Sequence, residues 1–283
     1  MKSIASATLA ILLIAMAATH LARASEFETV TFASSDLENT PIAGYLVRPE
    51  GRGPFPAVVA LHGCSGLFSK SGERFSARHR DWAERFALAG YAVLFPDSYG
   101  SRGLDAQCNV KDRDITPKDR ALDVKGAAEW LSRQRDIDAK RLALIGWSNG
   151  GSTVLWSMDP ELKPDGRDFL VAFAFYPGCR IPLEKTAWHP RLQANILIGN
   201  ADDWTPAAPC RELASRWGSS FQGFDGAYHD FDTPDLEVRE KTGVAYSASG
   251  NGIVHTGTNP AARQAAIDFV MTTLKSAFGT AAP

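Results

Sequence analysis

The five residues Gly146-Trp147-Ser148-Asn149-Gly150 constrain the fold of this chain more than any other stretch, because of what flanks them. The apolar run RLALI at 141–145 precedes them and an apolar segment at 151–156 follows, so the chain passes from strand through a sharp turn into helix. Where strand and helix close on each other around one residue, side chains two positions before and after it collide, and glycine removes them. Ser148 then stands at the tip of the turn. The amides and dipole of the helix start point at it, which stabilises negative charge developing nearby. Taken alone, the pattern also fits a tight strand-to-helix turn carrying a solvated serine. The β-rich run before it and the helix after it favour a nucleophile.

The chain opens with Lys2, an apolar segment over 4–18 and then Ala22-Arg23-Ala24 ahead of Ser25. A cation, a short apolar core and a small-residue cleavage pattern read as an export leader covering 1–24, with one domain over 25–283. The competing reading, an uncleaved anchor, is disfavoured because the apolar core is shorter than the roughly 20 residues a span needs. The expected product is exported, periplasmic or secreted, with no stable membrane insertion. The formal net charge is −2, and losing Lys2 and Arg23 makes it more negative. Basic residues such as Arg74, Arg78, Arg80 and Arg85 alternate with Glu73, Asp81 and Glu84, a solvated pattern that excludes a nucleic-acid surface.

Four cysteines, Cys64, Cys108, Cys179 and Cys210, remain in a chain bound for an oxidising compartment. Cys64 and Cys108 fall in loops after neighbouring expected strands, as do Cys179 and Cys210, which favours those two disulfides over four buried thiols. No Cys-x-x-Cys occurs, and no His/Cys cluster has zinc-ligand spacing.

Strand patterns are expected over 28–32, 42–48, 57–61, 91–95, 141–145, 170–175, 195–198 and 221–224. Helical patterns run over 78–89, closed by Gly90, over 151–156, from a start at Thr116-Pro117, and over 261–278 after Asn259-Pro260. Two antiparallel-looking strands followed by strand and helix in alternation imply an α/β fold with a mostly parallel sheet of about eight strands covered on both faces. Ligands in such sheets bind beyond the carboxyl ends of the strands, so the loops there are where chemistry is sought.

A serine hydroxyl needs a base within reach and a third group to orient that base. After Ser148 the histidines are His189, His229 and His255. His229 follows the last apolar strand and is preferred, with His255 as the rival. The acid is sought in the loop after 195–199, where Asp202 and Asp203 stand side by side; Asp202 is favoured, with Asp203 as a loop or cap residue. Backbone donors for an oxyanion are assigned to Asn149, directly after the nucleophile, and to Cys64 in the HGCSG loop, with Gly63 as the alternative. His62 is read as orienting that loop, with a direct contact to substrate as its other reading.

At this point the chain resembles the dienelactone hydrolase family of α/β-hydrolases. The resemblance rests on LHGCSG, YAVLFPDSYGSRG, GWSNGG, GNADDWTP and YHDF, and spans nearly all of 25–283. It implies the α/β-hydrolase fold and gives Asp202 the acid role and His229 the base role. The chain departs from the family's pattern in having Ser148 for a cysteine, His62 or its neighbour for a glutamate, and Thr233 for an arginine four residues after the histidine. Arg102 is then a candidate for holding an anionic substrate, with a surface salt bridge as its other reading.

The combined expectation is a serine hydrolase acting on small carboxylic esters, needing no cofactor or metal. Peptidase, thioesterase and catalytically silent binding protein are the competing readings. Tyr99, Trp147, Trp204 and Tyr228 are candidates for an aromatic wall around the substrate, or equally for core packing. Residues 232–259 carry few large apolar side chains and are expected to form either a loop over the cleft or a surface excursion.

Overall fold

The computed structural model describes residues 27–69, 72, 74–185 and 187–279; the expected leader lies outside them. The strands β1 (Glu28–Ala33) and β2 (Pro41–Val47) pair antiparallel, and β2 pairs antiparallel with β4 (Ala92–Pro96). From there β3 (Phe55–Leu61), β5 (Ile137–Trp147), β6 (Val171–Phe175), β7 (Ala194–Gly199) and β8 (Phe221–Phe224) run parallel, in the spatial order β1-β2-β4-β3-β5-β6-β7-β8. Every residue of β4 and β6 is buried, as are all but the first of β3, so both faces of the sheet are covered. The chain has the α/β-hydrolase fold.

Three of the helices begin where side-chain oxygens meet the first free amides. In α1 (Ala77–Leu88) Ser76 accepts from the His79 amide; in α2 (Pro117–Ser132) Thr116 and Asp119 form a reciprocal capping box; in α6 (Pro260–Phe278) Asn259 accepts from the Ala262 amide. The helix α3 (Asn149–Trp156), which follows Ser148, packs against α2, while α1 and α6 are joined by Arg263 donating to Asp81 at 2.7 Å. Two further helices, α4 (Arg180–Lys185) and α5 (Ala207–Trp217), follow β6 and β7.

Both disulfides form as expected, Cys64–Cys108 and Cys179–Cys210. The second ties the start of α4 to α5; the first ties the loop after β3 to the loop after β4. Among the described residues no helix is long and apolar enough to cross a membrane.

The stretch 232–259 holds a second, two-stranded sheet of β9 (Arg239–Thr242) and β10 (Ile253–Thr256). The sequence REKT of β9 is half-buried or exposed throughout, and IVHT of β10 buries only Val254 and Thr256. The hairpin is held from outside its own pattern. The Ala245 amide donates to Cys108 O at 2.9 Å, the Ala248 amide to Asp203 O at 2.8 Å, and the Gly257 amide to His229 O at 3.0 Å.

Candidate active site

Ser148 occupies φ 53°, ψ −113°, in the left-handed half of backbone space that non-glycine residues seldom enter. The surrounding glycines make this possible. A Cβ on Gly146 would lie 2.3 Å from Gly150 O, and one on Gly150 would lie 2.2 Å from Leu61 O, far inside van der Waals contact. The turn is locked by the Ser148 amide donating to Phe175 O at 2.9 Å and by the Ser152 amide donating to Ser148 O at 2.8 Å. The strain is therefore borne by backbone bonds to β6 and α3.

The loop after β3 lies against this turn. A Cβ on Gly63 would sit 3.2 Å from Trp147 O and 3.4 Å from Ser148 Cβ. His62 is fully buried, its Nδ1 donating to Gly63 O at 2.8 Å and its ring edge-on to Tyr99. The loop is braced from the other side by the Cys64–Cys108 disulfide and by the Gln107 amide donating to Cys64 O at 2.7 Å.

Asp202 and His229 meet beyond the ends of β7 and β8. The Asp202 Oδ1 accepts from the Trp204 and Thr205 amides at 2.9 and 2.8 Å, which leaves Oδ2 facing His229 Nδ1 at 2.8 Å. Both side chains are buried. A carboxylate accepts, so Nδ1 carries the proton and Nε2 presents a lone pair; Nε2 is buried with no hydrogen-bond partner. The ring lies between Tyr176 and Trp204, at 4.5 and 4.7 Å between centroids. The neighbouring pair is separate: Asp203 takes the His255 amide at 2.8 Å and His255 Nδ1 at 2.7 Å, with both side chains more than a third exposed. Asp203 thus anchors β10, and His189 remains on the surface.

Ser148 and His229 open into one cleft of about 620 Å³. Gly63, Cys64 and Phe68 line one side, Trp204 another, and residues 239–242 of β9 with Thr256 of β10 form a wall. The stretch 232–259 is therefore part of the cleft. Trp204 is the one expected aromatic-wall residue, among Tyr99, Trp147, Trp204 and Tyr228, that lines it. Tyr99 and Trp147 are core residues: the Tyr99 hydroxyl donates to Asn149 Oδ1 at 3.0 Å and Trp147 Nε1 to Asp232 Oδ2 at 2.8 Å. Tyr228 packs against His255. Arg102 does not face the cleft. Its guanidinium donates twice to the buried Asp123, at 2.8 and 2.9 Å, and once to Asp36 at 3.3 Å, a bidentate pair that leaves no free fork for a substrate.

Two polar residues of the site, Arg120 and Asp232, had escaped the sequence reading. A third, Arg78, was read there as part of a solvated face but is largely buried against Asp230 and Asp232. Arg120 of α2, fully buried, donates to the Asn149 side chain and to His62 O. Arg78 of α1 lines the cleft and donates to Asp230 and Thr233, with Asp232 3.3 Å away. Asp232, wholly buried, accepts from Trp82 and Trp147 Nε1 and from the Tyr176 hydroxyl. A signal existed for the two arginines. Arg120 falls on the stripe of Val124, Ala128 and Leu131, and Arg78 one turn ahead of Trp82, where a cation on an apolar face needs a buried acceptor. Thr233, where the family pattern has an arginine, is thereby occupied by a cation from another helix. Asp230 and Asp232 already neutralise it; burial alone would raise the Asp230 carboxyl, and Arg78 holds it below its ordinary value.

His62 and His79 give the site an acid sensitivity. Burial, reinforced by Arg120, holds His62 well below its ordinary 6.5, and burial, reinforced by Arg78, takes His79 to about 3. Both are neutral when folded, whereas the unfolded chain protonates them near the ordinary value. The unfolded state therefore binds more protons between those limits. The stability these residues contribute is complete above about pH 6.5 and falls as pH drops below it, for His79 down to about 3 by roughly 1–2 kcal/mol per pH unit. Urea midpoints measured between pH 7 and 4 are expected to fall steeply, and His79→Gln to flatten the slope; an unchanged slope would contradict this origin.

The sequence profile of the dienelactone hydrolase family matches residues 42–278. The chain is 25% identical over 157 residues to a putative carboxymethylenebutenolidase of Synechocystis, an alignment covering 51% of this chain and 57% of that one. It is 30% identical over 135 residues to the uncharacterized peptidase YuxL of Bacillus subtilis, covering 46% of this chain and 19% of that one. It thus spans only part of the length of both. Among solved structures, a dienelactone hydrolase-like promiscuous phosphotriesterase from metagenomic libraries superposes with a TM-score of 0.63 at 19% identity, over 89% of this chain and 99% of that one, a likeness of fold. With a strained serine on the turn after β5, a buried Asp–His pair beyond β7 and β8, and a profile match over most of its length, the chain belongs to the dienelactone hydrolase family, within the α/β-hydrolases.

Proposed function

We propose that this protein is an exported serine hydrolase that cleaves small carboxylic esters through an acyl-enzyme. One observation carries the reading. His229 Nε2 is buried, unpartnered and, with Nδ1 committed to Asp202, basic, and it belongs to the cleft into which the strained Ser148 projects. Ser148 Oγ attacks the acyl carbon as Nε2 takes its proton; Nε2 then gives that proton to the leaving alkoxide, and a water activated in the same way releases the acid. Asp202 holds the tautomer. The amides of Asn149 and Cys64 receive the oxyanion at the N-terminus of α3, where the helix dipole adds to them. Export rests on the leader-like residues 1–24 and on two disulfides, which persist in oxidising compartments.

Peptide-bond cleavage on the same residues is the second reading, favoured by the similarity to a curated peptidase. The test is turnover of p-nitrophenyl acetate and butyrate, a matched thioester and a dipeptide anilide by residues 25–283. Ester turnover well above the thioester and anilide is expected. Preferential anilide cleavage would replace the ester reading with the peptidase one. Tight binding with no turnover of any of them would make the chain a silent member of its fold.

A further inference from the structure

We infer that Arg120 is a positioning residue for the oxyanion site, a fork that sets the spacing between its two donor segments. The inference rests on the serine-hydrolase reading. The donors assigned above lie on separate pieces of chain, the loop after β3 and the first residue of α3. Oxyanion stabilisation depends on donors already in place when the charge forms, so the distance between these pieces governs the rate. The guanidinium reaches both. One nitrogen donates to Asn149 Oδ1, an acceptor shared with the Tyr99 hydroxyl, and the other donates to His62 O at 3.0 Å. The bond to His62 O fixes the plane of the His62–Gly63 peptide, which leads directly into Cys64.

Backbone packing brings the two segments together, where Gly150 passes close to the Leu61 and His62 carbonyls and Gly63 to Trp147 O. Arg120 adds the side-chain hydrogen bonds that reach both. Arginine suits the task because its planar group offers two donors at a fixed angle, whereas lysine offers a single point charge. Helix packing does not call for it. Val124, Ala128 and Leu131 continue the same buried stripe as hydrocarbon, and burying a guanidinium costs several kcal/mol that a leucine would avoid. The hydrogen bonds made in return go to neutral oxygens, so the residue is not explained as half of an ion pair.

The test compares wild type with Arg120→Lys, Arg120→Met and Asn149→Ala, reading circular dichroism, kcat and KM on p-nitrophenyl acetate, and inhibition by a trifluoromethyl ketone that forms a tetrahedral adduct on the serine. Loss of one oxyanion donor lowers kcat by about 10²–10³-fold, so a displaced pair is expected to cost about 100-fold in Arg120→Met and about 10-fold in Arg120→Lys, with KM within about threefold. The ketone should weaken by the same factor as kcat/KM falls, a correlation that a merely structural role would not produce. If both arginine variants fail to fold, Asn149→Ala decides, since it removes the side-chain acceptor and keeps the backbone amide; a kcat loss of about 10-fold is expected there. A folded variant with unchanged kcat, or a loss confined to KM, overturns the inference alone. A wild-type chain that neither turns over the ester nor forms the adduct overturns the hydrolase reading, and this inference with it.

Discussion

Replacing Ser148 by alanine is expected to lower ester turnover by at least about 10⁴-fold and to abolish labelling by a fluorophosphonate. The size follows from the geometry. Ser148 is the residue of the elbow held at positive φ, and its backbone conformation is fixed by bonds to Phe175 O and from the Ser152 amide, which alanine leaves intact. The fold should therefore survive, and the loss should fall on chemistry. His229→Ala is expected to reduce labelling of Ser148 to a similar degree, because the hydroxyl loses an imidazole of the cleft whose Nδ1 is held by a buried carboxylate. Since residues of one catalytic unit are not additive, the double variant should lose little beyond either single one. Intact-mass measurement with peptide mapping checks all three. A Ser148→Ala protein that keeps its ester activity, or an adduct mapped to another residue, would remove Ser148 from the mechanism.

The second large effect is expected at Asp232. Its two oxygens accept from Trp82, Trp147 and Tyr176, drawn from α1, the end of β5 and the loop after β6, while Arg78 stands 3.3 Å away. Asp232→Ala would strand two indole N–H groups and a phenol in a dry interior and take one of its two carboxylate neighbours from Arg78, which keeps Asp230. Removing one partner of a buried charge pair costs about 3–5 kcal/mol, a large part of the 5–15 kcal/mol by which domains are stable. Asp232→Asn should cost less. Its carbonyl oxygen can face the two indoles and its amide the Tyr176 hydroxyl, which can rotate to accept, so that mainly the charge on Arg78 is lost. Urea unfolding followed by tryptophan fluorescence measures both. An alanine variant within 1 kcal/mol of wild type would show that the cluster is not the clamp described. His229 is three residues upstream, so a destabilised Asp232 variant should also lose activity before it loses helicity.

The same contrast marks what could be read without coordinates. The elbow at 146–150, the alternation of strand and helix, the two disulfides and the caps at Thr116 and Asn259 were legible because each is written in neighbouring residues or in a regular period. The Asp202 assignment lay at the edge of legibility. Two adjacent aspartates offer the same chemistry to a linear reading, and only the fold sends one to buried His229 and the other to exposed His255. The two readings of Arg102, substrate contact or salt bridge, stayed open because the sequence cannot show that Asp123 and Asp36 converge on it.

The sequence by itself determined the class of fold and the residue types of the candidate site, with their order along the chain. Short-range sterics and hydrophobic periodicity act between near neighbours, and they leave their record in the linear pattern. Only the tertiary structure decided that Arg120 bonds both the Asn149 side chain and His62 O, that Asp232 accepts from two indoles and a phenol, and that the β9–β10 hairpin walls the cleft. Those arrangements join residues far apart in sequence through buried polar contacts. The energy of such contacts depends on complete pairing away from water, and pairing of that kind imposes no spacing on the chain.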